Sequence, residues 1–228
     1  MVGMGGKRAG EIELCYVDCF AGPWGAPDDS LEGTSIAVAL RTMERCRQIL
    51  KGQRINVTMR ALFVERDVVA FQRLKAYLAA SSPPGIKTEC FQGDFVALRD
   101  EILRWCGRRA FTFFFIDPKG WTPVGVPILK PLLERPGSEF LINFMYDFVN
   151  RTASMAEWQD EMTTFLGRPI EQMGLRSLGP EEREWRLVHV YREGLKQCIA
   201  PARAQDKPRT AYVRVMDRQR NRPKYHLV

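Results

Sequence analysis

Phe111-Thr112-Phe113-Phe114-Phe115-Ile116-Asp117 is the most continuous apolar run in the chain, and four of its seven residues are phenylalanine. The run has the length of a strand rather than a helix, is rich in aromatic residues, and is closed by Pro118 and Gly120. Near-continuous hydrophobicity of this kind predicts a central strand covered on both faces. On either side of it, strand-like runs alternate with helix-like ones. Upstream, 14–20 (LCYVDCF) is a short apolar run ending at a glycine-rich turn. Residues 34–50 follow as a helix, with Ile36, Ala39, Leu40 and Met43 on one face and Thr34 or Gly33 as the cap. A second strand is expected at 57–65, then a helix capped by Asp67 and running to about Ala80. The Pro-Pro step in SSPPG (81–85) stops that helix. A third strand at 86–92 and a helix at 95–106 lead into the phenylalanine run. Downstream come a short helix at 125–134 and a fifth strand at 138–146. Alternation of this kind predicts a parallel sheet with helices on both faces.

The rest of the chain has a different texture. Residues 147–200 read as helical and charge-rich, broken at Gly167-Arg168-Pro169 and Gly179-Pro180. Residues 210–217 and 224–228 flank the basic turn RQRNRP and read as two antiparallel strands. The expected whole is a single α/β domain over 1–228. Its Rossmann-like sheet has about seven strands and ends in an antiparallel hairpin, and 147–205 forms a helical insertion facing a substrate or a partner. Both ends stop close to expected strands, which suggests a chain clipped at each end.

Composition narrows the function classes. The 228 residues are 45% hydrophobic and 27% charged, a globular balance far from disorder. No apolar run is long enough to span a membrane, and the first residues lack the apolar centre of a signal peptide. A formal charge of +7 permits anionic partners without requiring them. Residues 151–228 carry 15 of the basic and 10 of the acidic side chains, so the bias lies toward the C-terminus. The six cysteines form no CxxC pair and the two histidines, His189 and His226, lie far from any cysteine pair, which argues against a structural zinc site. A reducing cytoplasm is the expected compartment.

In an open α/β sheet, ligands bind beyond the carboxyl ends of the strands. Acids stand at four such ends here: Asp18, Glu65, Asp94 and Asp117. Glycines at 22 and 25 allow a ligand close to the backbone, but the third glycine of a dinucleotide fingerprint is missing and Pro23 stiffens the loop. An acid ending the second strand can accept from both ribose hydroxyls, and one after the third can take an exocyclic amine of adenine. Together they describe a nucleoside-bearing cofactor without phosphates.

The segments carrying these acids resemble the class I S-adenosylmethionine-dependent methyltransferases. More narrowly, YVDCFAGPWG, EGTSIAVAL, LFVERD, FQGDF and FFIDPKGW are similar to the three-Cys-motif partner protein family, over about residues 14–150 and more loosely to 228. The resemblance implies a methyltransferase sheet closed by an antiparallel hairpin, S-adenosylmethionine as cofactor, and a three-Cys-motif protein as partner. Asp18, Gly22 and Gly25 would line the methionine part of the cofactor, with Phe20 beside them. Glu65 would bind the ribose, and Asp94 with Phe95 the adenine. Asp117, Pro118 and Lys119 would face the methyl acceptor.

The acceptor stays open. Base-modifying amino-methyltransferases carry an Asp/Asn-Pro-Pro-aromatic loop, whereas Lys119 and Gly120 stand in the last two places here and Trp121 comes one late. Trp121 is either a substrate contact or packing under the loop. Lys119 is suited to a phosphate or carboxylate of a substrate. Tyr146 borders the same cleft, and Arg218, Arg220 and Arg222 form a basic hairpin tip that would meet nucleic acid or only solvent. Two rival readings remain: a non-catalytic subunit that keeps the fold and works in a protein complex, and a nucleotide-dependent oxidoreductase, disfavoured by the incomplete glycine pattern.

Overall fold

The computed structural model describes residues 12–22, 33–200, 207–217 and 222–228, with the backbone alone for Arg222. Seven strands form one sheet: β1 (Ile12–Asp18), β2 (Val57–Glu65), β3 (Ile86–Gln92), β4 (Phe111–Ile116), β5 (Ser138–Phe144), β6 (Val213–Asp217) and β7 (Arg222–Leu227). They lie in the order β3-β2-β1-β4-β5-β7-β6. The first five run parallel, while β7 is antiparallel to both β5 and β6. This is the Rossmann-like arrangement with a closing hairpin expected from the sequence. The strand order reverses between β1 and β4, the place where such sheets open a ligand crevice.

Helices α1 (Ser35–Gly52), α2 (Val68–Ser81), α3 (Phe95–Cys106) and α4 (Val126–Leu133) connect the parallel strands. The first three begin where the sequence offers an oxygen to the free amides of a first turn: Thr34, Asp67 and Asp94 each cap the helix that follows. The charge-rich segment after β5 folds as α5 (Tyr146–Thr152), α6 (Gln159–Leu166) and α7 (Pro180–Cys198), with short 3₁₀ turns between them. Gly167 ends α6 in the left-handed conformation, as the glycine-proline break led one to expect.

The two faces of the sheet are covered unequally. On one face, Val17, Leu62, Val64, Phe114, Ile116, Ile142 and Phe144 meet α3, α4, α6 and α7 in one continuous core. Tyr191 of α7 is fully buried there and donates from its hydroxyl to the Val124 carbonyl (2.6 Å). The 147–200 helices are therefore part of the main core. Gly194 lets α7 lie close, since a Cβ there would meet Val126 Cγ2 at 3.0 Å and the Leu166 carbonyl at 3.2 Å. His226 of β7 is also buried on this face and bonds through Nε2 to Glu184 of α7 (2.8 Å).

On the other face, α1 and α2 pack on Met59, Ala61, Phe63 and Ile86 and go no further than the β1–β3 half. Here the expectation for the phenylalanine run needs correction. Thr112, Phe114 and Ile116 are buried, whereas Phe111, Phe113 and Phe115 are half-exposed. The strand is central but covered on one face only, because no helix of the described residues reaches over β4 and β5 on the α1 side. Phe114→Ala is thus expected to cost about 3–5 kcal/mol of stability, as a large cavity in a packed core does. Phe113→Ala should cost only about 1–2 kcal/mol. Urea unfolding of both variants checks this; equal losses would show that both faces are packed.

Candidate functional site

The site grows out of the register of the sheet. Asp18 ends β1 opposite Phe63 of β2 and Phe115 of β4. Glu65 and Asp117 each lie two residues beyond those partners, so three carboxyl groups collect at one edge. Beyond Asp18 the chain bonds to both neighbours: Cys19 N–H donates to the Phe115 carbonyl (3.0 Å) and Ala21 N–H to the Val64 carbonyl (2.8 Å). Asp18 is held inside this bend. Its Oδ1 accepts from Phe20 N–H (3.1 Å) and its Oδ2 from Ser35 Oγ (3.0 Å). Burial pushes its carboxyl up to about 7, and the charges of Asp117 and Glu65 add to the rise, while the two hydrogen bonds oppose it.

Glu65 is buried at the end of β2, with Oε1 accepting from Asp67 N–H (2.6 Å). The next strand is tied in by Gly93 N–H, which donates to the Glu65 carbonyl (3.0 Å). Asp94 is exposed and spends Oδ1 on the amides of Val96 and Ala97, capping α3. Phe95 turns into the core, where its ring stands 5.1 Å from that of Phe20 and closes the floor between the first and third strand ends. Gly22 is buried just beyond this contact. Gly25 lies outside the described residues.

Asp117 is exposed at the mouth, and Pro118 is buried behind it. Asn143, near the end of β5, donates from Nδ2 to Asp117 Oδ1 (2.6 Å), and its own Oδ1 is buried without a partner among the described residues. Lys119 is exposed on the same loop. Gly120 turns the loop with φ +97, a conformation that glycine adopts readily, and directs its N–H to Met145 Sδ (3.2 Å).

The other substrate candidates are placed elsewhere. Trp121 is buried, edge-on to Phe165 at 5.0 Å and to Trp158 at 6.1 Å, so its indole packs beneath the loop. Tyr146 is buried against His226 (5.4 Å), and burial pushes its phenol up to about 12. Arg218 and Arg220 lie outside the described residues; Arg222 begins β7. The structure therefore brings together Asp18, Phe20, Gly22, Glu65, Phe95 and Asp117, places Asp94 at the adjoining helix start, and sets Trp121 and Tyr146 into the core.

Sequence reasoning missed two residues at this edge. Ser35 stands beside a capping threonine and reads as helix-start polarity. Asn143 is the sole amide in an apolar strand, SEFLINF, and that isolation at a strand's end was its signal.

Three neighbouring carboxyl groups, one of them holding a proton near neutral pH, suit a ligand that brings hydrogen-bond donors and positive charge. Among the described residues no group of three or more His, Cys, Asp or Glu could hold a metal ion, and no helix is long and apolar enough to cross a membrane.

The raised Asp18 carboxyl makes a stability claim with a definite sign. Its proton is held more tightly in the folded chain than in the unfolded one, so stability falls as pH rises from about 4 to about 7. Asp18→Asn removes that loss. Thermal unfolding is expected to show the variant more stable than the parent at pH 8, by up to about 4 kcal/mol, with the gain vanishing toward pH 4. A gain independent of pH would contradict the burial of an ionisable group here.

No family model, curated protein or solved structure matches the chain.

Proposed function

We propose that the chain is an S-adenosylmethionine-dependent methyltransferase. The observation that carries this reading is the row of carboxyl groups at consecutive parallel strand ends, Asp18, Glu65 and Asp117, at the point where strand order reverses. The residues fit the cofactor electrostatically. A pyrophosphate would meet carboxylates, whereas a sulfonium and an ammonium would relieve their mutual repulsion. Resemblance in sequence to the three-Cys-motif partner family points the same way and adds a three-Cys-motif protein as partner.

In this reading the bound cofactor supplies an electrophilic methyl group. Asp18, fixed by Phe20 N–H and Ser35 Oγ, faces the ammonium of the methionine part. Glu65 keeps Oε2 for the ribose hydroxyls while Oε1 holds the Asp67 amide. Asp94, whose Oδ1 caps α3, would offer its other oxygen to the adenine amine, and the Phe20–Phe95 pair would exclude water beneath the ring. Asp117, steadied by Asn143, orients the acceptor and accepts a proton from it, and Lys119 meets an anionic group of the substrate. Methyl transfer needs chiefly alignment and loss of water, so no histidine base is required. Nucleic acid is the first acceptor class to test, because of the basic C-terminal third.

The second reading, a methyltransferase-fold subunit without catalysis of its own, is favoured by the uncovered half of the sheet, which is a surface suited to a complex. Calorimetric titration separates the two. S-adenosylmethionine is expected to bind with micromolar affinity and one site per chain. Glu65→Ala should weaken it at least ~30-fold, in line with loss of hydrogen bonds in a buried site. Affinity should also rise from pH 6 to pH 8 as Asp18 loses its proton, and Asp18→Asn should flatten that slope. A folded chain that binds no S-adenosylmethionine, or binds a nicotinamide cofactor instead, overturns the proposal.

A further inference from the structure

His226 of β7 is fully buried. Its Nε2 meets Glu184 Oε1 at 2.8 Å, and Arg214 Nε donates to the same oxygen at 2.6 Å. A carboxylate held by an arginine only accepts, so Nε2 carries the imidazole hydrogen and Nδ1 is left as a bare acceptor. That Nδ1 is buried without a partner among the described residues. Three aromatic rings stand around the imidazole: Tyr146 of α5 at 5.4 Å, Tyr212 ahead of β6 at 5.5 Å and Phe144 of β5 at 6.3 Å. The charged groups acting on it are Glu184 from α7 and Arg214 from β6.

A neutral ring is tolerated in this setting. A second hydrogen would place a cation there whose Nδ1–H finds no acceptor. Glu184 attracts that charge, but its oxygen is already shared with Arg214. Burial outweighs the attraction and holds the imidazole below its usual range. A released hairpin has no such restraint, and its imidazole takes up a proton near pH ~6.5, as a free histidine does.

The position of the ring gives this chemistry a consequence. β7 pairs with β5 at Asn143–Leu227 and Phe144–His226, and Val228 exchanges both backbone bonds with Ile142 (2.7 and 2.9 Å). β6 reaches the rest of the sheet through β7. The seat of the hairpin is therefore short, and His226 lies within it. So does Asn143, which donates to Asp117 at the mouth of the candidate cleft.

We propose that His226 is a pH-sensitive latch: proton uptake at Nδ1 in mild acid loosens the β6–β7 hairpin from β5 and α7, together with the strand end that carries Asn143.

The sign follows from linkage. Seating of the hairpin is fully favoured above pH ~6.5 and weakens as pH falls below it, by up to about tenfold per pH unit in the opening equilibrium. Asp18 acts in the opposite sense, because it holds its proton more tightly in the folded chain. Acid loosening confined to the hairpin is thus separable from a general loss of stability, and the latch does not depend on which cofactor the acidic edge binds.

Amide exchange of the full chain, read by mass spectrometry and corrected for the intrinsic pH dependence of exchange, tests this. From pH 7.5 to pH 5.5, peptides covering 213–217, 222–228 and the end of β5 at 141–144 should lose protection about fivefold, while peptides of β1 and β2 lose none. His226→Gln keeps a donor for Glu184 and does not titrate, so its hairpin protection should change less than about twofold. His189→Gln, at the other histidine of the sequence, should behave as the parent. Unchanged hairpin protection in the parent, an equal loss in β1 and β2, or a loss that survives His226→Gln overturns the proposal. If His226→Gln does not fold, the imidazole nitrogen shifts of the parent at pH 6 decide. A neutral ring with its hydrogen on Nε2 is expected, and an imidazolium overturns the latch.

Discussion

The acidic edge of the sheet depends on one constraint: β1 is hydrogen-bonded on both sides, and stays so past its own last residue. Cys19 N–H reaches across to β4 and Ala21 N–H to β2, so the turn after Asp18 is held by both neighbours at once. With β1 so fixed, parallel register does the rest. Phe63 and Phe115 lie opposite Asp18, and the acids two places beyond them are delivered to either side of it. The closeness of these like charges follows from strand pairing and not from any pairing of the side chains. It persists because Asp18 can hold its proton and because Phe20, Ser35, Asp67 and Asn143 each give a donor to one of the three carboxyl groups.

How much of this was legible in the sequence varies by element. The parallel half was readable because most of its strands are short apolar runs stopped by a turn former, and each of the first three helices starts at an oxygen-bearing cap. The closing hairpin was readable from alternation and a polar turn. The one-sided cover of β4 was not, for a physical reason. Face assignment relies on polar residues marking the solvent side, and here both faces of the strand carry phenylalanine. Thr112, the polar member of FTFFFI, points into the core and misdirects the reading further. Of the site, the carboxyl groups were visible because acids at strand ends are unusual. Their supports were not: Ser35 and Asn143 act across 17 and 26 residues of sequence, and only tertiary register connects them to Asp18 and Asp117.

The opposite face shows why the 147–200 segment cannot be set apart from the sheet. The Phe165 and Tyr191 rings stack at 5.4 Å and Phe144 stands tilted against both, at 6.1 and 4.7 Å, joining β5, α6 and α7. Glu184 of α7 takes both Arg214 of β6 (2.6 Å) and His226 of β7 (2.8 Å). Burial holds the His226 imidazole below its usual range. The hairpin is thereby anchored on the helix that covers the parallel strands, and Tyr146 and Trp121, the residues flanking the candidate cleft, are locked as packing groups.

The half-exposed face of β4 and the acidic edge meet at two residues. Ser35 borders that face and donates to Asp18 Oδ2; Phe115 presents its ring to it and its carbonyl to Cys19 N–H. The first turn of α1 and the strand that holds the bend after Asp18 therefore belong to both places. The Ser35 bond is one of two that draw the Asp18 carboxyl downward against burial. Strengthening it favours the ionised form and a cationic ligand beside it; stretching it returns the proton and removes that attraction. The charge state of a buried carboxyl thus depends in part on a hydroxyl carried by the first turn of α1, at the edge of an apolar face.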